Sequence, residues 1–142
     1  DAEKNTFDLE VIAERILTLE SMLEKFPDSV YFQSFQQTQV YYYQLYFGSN
    51  SAVLMNADGT AYLESVLNVY KVHAEDFKDK TFGKDIQKVV TVLNATNGSV
   101  SADVTKVINE ILMERSPEQW AESTESQIEN PSGETSVDSS KE

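Results

Sequence analysis

The chain has 142 residues, no cysteine and a formal net charge of −13. That length suits one domain with a sizeable core, and the lack of cysteine excludes disulfides, thiolate nucleophiles and cysteine-based metal sites. The acidity also argues against nucleic-acid and anionic-membrane partners, which are gripped by clustered Lys and Arg; the nearest approach to a cluster, Lys78, Lys80, Lys84 and Lys88, is interleaved with Asp79 and Asp85.

Residues 1–6 are polar, and Thr6 or Asp8 can cap a first helix running to about Phe26. Leu9, Ile12, Ile16, Leu19, Leu23 and Phe26 recur at alternating steps of three and four, the seam of a bundle helix, while Glu10, Glu14, Glu20 and Glu24 lie off it. Phe26-Pro27-Asp28-Ser29 then forces a junction, because proline disfavours a helical Phe26 and has no amide to donate. Asp28 or Ser29 is placed to cap the next helix. Two helices joined by so short a turn lie antiparallel or steeply crossed. The turn resembles, over five residues, those of tetratricopeptide-type repeats, but no second copy is present, so no repeat array is expected.

Residues 29–57 carry no Asp, Glu, Lys or Arg, and 30–47 holds eight of the fifteen aromatic residues. As a helix, Phe32, Phe35, Gln39, Tyr42 and Tyr46 share a face. As a strand, 38–47 is rich in the β-branched and aromatic types that suit a pleated surface, but it alternates poorly. Pro27 before it and Gly48 after it favour the helix. Five Gln and a Ser interrupt the segment, so it does not insert in a membrane, which takes about 20 mostly apolar residues.

Gly48-Ser-Asn-Ser51 reads as a loop, 52–55 as a short apolar run and Asn56-Ala-Asp-Gly-Thr60 as a turn. The turn grazes a calcium loop but lacks the first carboxylate and the final glutamate. A second clear amphipathic helix is expected from Thr60 to about Asp79, with Leu63, Val66, Leu67, Tyr70, Ala74 and Phe77 inward. A helix from Thr81 or Asp85 buries Ile86, Val89, Val90 and Leu93 and stops at Asn97-Gly98. The last, opened by Ser99 or Ser101, buries Val104, Val107, Ile108, Ile111 and Leu112. Ser116-Pro-Glu-Gln119 is a capping-box pattern for a brief helix through Trp120. Beyond it the composition cannot repay the entropy of ordering.

The expected fold is therefore an all-α, irregular bundle of about five helices over 1–123, with a disordered acidic tail over 124–142. The alternative is α+β, with a small antiparallel meander around 38–63.

Little in the sequence points to chemistry. His73 is the only histidine and reads as a partly buried structural residue. Scattered glycines leave no phosphate-binding loop, and no Gly-x-Ser-x-Gly elbow occurs. No cofactor, metal site or catalytic residue is expected. The seven tyrosines are more phenols than a simple core requires, and a buried hydroxyl needs a partner. Tyr42 is expected inward, and a recognition face around 31–47 is expected to use Tyr31, Tyr41, Tyr43, Gln44 and Phe47. The function expected is a non-enzymatic protein-interaction module, such as an adaptor, chaperone or inhibitor. The alternative is a small-molecule or glycan-binding protein whose pocket is lined by Tyr42, Tyr43 and Tyr46. A start at Asp1 fits a processed, extracytoplasmic mature form somewhat better than a cytoplasmic protein, or marks an arbitrary boundary.

Overall fold

A computed structural model describes residues 8–48 and 54–116. The polar first residues, the loop over 49–53, the brief helix expected through Trp120 and the acidic tail lie outside the described residues. Among the described residues five α-helices succeed one another: α1 (Leu9–Lys25), α2 (Phe32–Phe47), α3 (Glu64–Asp76), α4 (Thr81–Ala95) and α5 (Ala102–Arg115). Sequential pairs pack together, α1 on α2 and α3 on α4, and α5 bridges the pairs by lying against both α4 and α2. No described helix is long and apolar enough to cross a membrane.

The helix ends obey local chemistry. Asp8 caps α1 through a carboxylate that accepts the Glu10 amide at 2.9 Å, and Ser101 caps α5 by accepting from Val104 at 3.3 Å. Gly48 ends α2 in the left-handed conformation, at φ 84°, with its amide donating to Gln44. Ser29 does not cap α2 directly. It accepts the Tyr31 amide at 3.0 Å and so shapes the turn that precedes the helix.

Segment 38–47 is helical throughout, which removes the α+β alternative. Among the described residues its only trace is a pair of isolated bridges, Met55 with Tyr62 and Ala61 with Ser99. Asn56 builds the intervening turn, its side-chain oxygen accepting the amides of Thr60 and Ala61. Because 60–62 also exchanges backbone bonds with Gly98 and Val100, α3 begins at Glu64 and not at Thr60. This stitch ties the start of α3 to the stop of α4.

The α4 core face is as expected, with Phe82, Ile86, Val89, Val90 and Leu93 all buried. Gly83, in its first turn, has a specific reason to be glycine. A Cβ there would lie 1.8 Å from the Phe77 carbonyl oxygen, a clash far larger than the roughly 1 kcal/mol of helix propensity an alanine would add.

Two faces are rotated from the expected ones. In α1 the buried positions are Ile12, Ala13, Ile16 and Glu20, while Phe26, the expected end of the seam, is 55% exposed. In α2 they are Gln39, Val40, Tyr43, Tyr46 and Phe47, so Tyr42 lies at the edge and Tyr43 takes the inward place. The cause is that α2 meets both α1 and α5, and with aromatic side chains on every side its own periodicity could not choose between them.

A buried tyrosine network and an uncharged outer face

The interior explains the tyrosine count. Tyr43, Tyr46, Tyr62 and Tyr70 are buried, and each hydroxyl has a partner. Tyr70 donates to the Tyr46 carbonyl at 2.6 Å and Tyr62 to the Phe47 carbonyl at 2.7 Å. Tyr43 donates at 2.7 Å to Asp85 Oδ2, a buried carboxylate that also faces Arg115 Nε at 3.2 Å and Lys88 Nζ at 3.9 Å. Tyr46 Oη lies 2.7 Å from His73 Nδ1, and His73 Nε2 lies 3.1 Å from Glu10 Oε2. A carboxylate only accepts, so a neutral His73 imidazole carries its proton on Nε2 and accepts from the Tyr46 hydroxyl at Nδ1.

Burial shifts these groups. It holds the Asp85 carboxyl above its ordinary value, opposed by the Tyr43 hydrogen bond and by Arg115 and Lys88. It raises Tyr43, with the Asp85 charge adding to the effect, raises Tyr46, with Glu10 adding, and pushes Tyr62 up to about 12. The Glu10–His73–Tyr46 line runs from an exposed carboxylate inward to Tyr46, which ends among Phe47, Tyr70 and Phe82. It binds α1, α2 and α3 together. No group of His, Cys, Asp or Glu among the described residues is arranged to hold a metal ion.

Glu20 is a residue that sequence reasoning misplaced. Expected on the solvent side, it is buried, and its two oxygens accept the amides of Thr81 and Phe82 at 3.0 Å each. It therefore caps α4 from 61 positions away, and Lys80 at the local cap position contributes no side-chain bond. Free amides and the positive end of the helix dipole both favour a carboxylate there.

Five residues were expected to form a recognition face, and the structure divides them. Tyr31, just before α2, and Tyr41 on it are 62% and 55% exposed, and Gln44, further along α2, is half-buried. Tyr43 and Phe47 are corrections. Both lie in the core, Tyr43 held by Asp85 and Phe47 packed edge-on to Tyr46. The pocket expected from Tyr42, Tyr43 and Tyr46 does not form either, because Tyr43 and Tyr46 are fully enclosed. Tyr42 is instead anchored to α1, its hydroxyl accepting from Arg15 at 3.0 Å and its ring 5.8 Å from the guanidinium.

Outside, α2 presents Gln33, Ser34, Gln37, Thr38 and Tyr41 to solvent, and the turn before it adds Phe26, Tyr31 and Val30, the last 90% exposed. Sequence reasoning missed Phe26 and Val30. For Val30 the available signal was the charge-free stretch that opens at Ser29; Phe26, lying between Lys25 and Asp28, offered none. A cavity of about 310 Å³ opens elsewhere, lined among the described residues by Phe47, Met55, Tyr62, Val104, Thr105 and Ile108. No family model matches the chain, and neither the curated proteins nor the solved structures searched contain a similar one.

Proposed function

We propose that the protein is a non-enzymatic interaction module that recognises another protein through the outer face of α2 and the α1–α2 turn. The carrying observation is that α2 alone among the five helices has no Asp, Glu, Lys or Arg, yet it leaves Tyr41 in water, as the turn before it leaves Val30 and Tyr31. A surface helix ordinarily turns charge outward. Exposed tyrosines anchor partners at low entropy cost, and amide and hydroxyl groups between them supply hydrogen bonds. The buried Asp85, His73 and Tyr46 are engaged in packing, which supports a binding role over a catalytic one.

Site-directed photocrosslinking tests this. A photoreactive phenylalanine analogue at position 41 is expected to form protein adducts in extracts of the source cells. The same group at Val72, which is exposed on α3, serves as the control. Equal yields from the two positions would overturn the proposal. A second reading, a small apolar ligand in the 310 Å³ cavity, draws on a volume at the lower end of the ligand-pocket range. Under that reading a bound ligand raises the melting temperature, and Ile108→Trp, which fills the space, abolishes the rise.

A further inference from the structure

Resting on that reading, we propose that the partner of the α2 face is the same face of a second copy, paired antiparallel about a twofold axis at Gln37. In an isologous contact every residue meets a surface supplied by its own copy, so any charge near the axis faces itself. For a chain of net charge −13 that condition is severe, and α2 is the one helix that meets it. The other four each expose acidic side chains or lysines, among them Glu14, Glu75, Lys84 and Glu110. A face for an unlike partner has no such constraint and gains from charge, which steers encounter.

The positions also match. Ser34, Gln37, Tyr41 and Gln44 run along one side of α2 at steps of three, four and three, the spacing of a helix–helix seam, and Val30 stands exposed in the turn before them. Turned end for end about Gln37, the seam sets Tyr41 over Ser34 of the copy and Val30 against Gln44, large over small at the first of these contacts. Gln37 meets Gln37, and a primary amide both donates and accepts, so the pair satisfies itself. A single pair of 16-residue helices buries less than the roughly 800 Å² per partner of a standard interface, which makes the association weak and concentration-dependent.

Sedimentation equilibrium over a wide concentration range tests the pairing. The wild type is expected to pass from monomer to dimer, more readily at high salt, because screening removes repulsion between two acidic copies. Gln37→Glu and Gln37→Lys, both at an exposed position, should each keep the helical circular dichroism and weaken pairing by about tenfold or more, like charges across an interface being strongly unfavourable. Mixed in equal amounts, the two variants should pair again. A wild type that stays monomeric, or a dimer indifferent to both variants, would overturn self-pairing. Crosslinks from position 41 to other proteins would then leave the recognition reading standing by itself.

Discussion

Asp85 shows how far one residue's behaviour depends on its surroundings. On its helix it looks like half of an exposed pair with Lys88, but its side chain is enclosed and shared between Tyr43 and Arg115. Because burial raises its folded value above the ordinary 3.8, the unfolded chain gives up this proton first. The stability linked to the group is thus fully present below that value and is lost as pH rises through the folded value. Asp85→Asn cannot titrate. Urea melts in steps upward from pH 3 should show the wild type losing stability relative to Asp85→Asn as pH climbs. A flat or opposite trend would mean that Arg115 and Lys88 outweigh desolvation. The tyrosines tell the same story in another form, since Tyr43 and Tyr42 are adjacent in sequence yet one closes the core and the other ties α2 to Arg15.

Among the elements, α4 depends most on distant residues. Its core face was legible from the spacing of Ile86, Val89, Val90 and Leu93, and its stop from Asn97-Gly98, which take φ 55° and 81°. Its start was not legible, because the cap is Glu20 on α1. Glu20→Ala should destabilise the fold by about 2–6 kcal/mol, two amides each losing a partner at roughly 1–3 kcal/mol. Glu20→Gln, which keeps one acceptor, should cost about half as much. Denaturant melts of the pair decide it: equal small losses would mean that water replaces the carboxylate. For α1 the consequence is a helix whose buried face includes a charge, and this is why its apolar seam alone misjudged the rotation.

For the whole molecule the governing quantity is charge. A net −13 repels itself in the compact state, and the Debye length falls from about 30 Å at 0.01 M salt to about 8 Å at 0.15 M. The melting temperature, measured in dilute solution, should therefore rise by about 3 °C over that range, which corresponds to roughly 1 kcal/mol for a domain of this size. A salt-independent melting temperature would mean that the fold's ion pairs, such as Lys88 with Glu114 and Lys78 with Glu75, offset the repulsion. The uncharged face of α2 belongs to this scale as well, since its meaning comes from contrast with the rest of the surface.

By itself the sequence determined the helices, most of their ends and the inward faces of α4 and α5, because those depend on propensity, caps and periodicity within a few residues. It also marked 29–57 as the exceptional segment. Only the tertiary structure decided how α1 and α2 are turned, that Tyr43 and Phe47 are core while Phe26 and Val30 are not, and that Glu20, Asp85 and His73 join elements far apart in the chain. The reason is physical. A helix with aromatic residues on all sides carries no dominant apolar face, so its orientation is set by which neighbours pack against it. A polar group buried at long range leaves no local trace, because its partners lie tens of residues away.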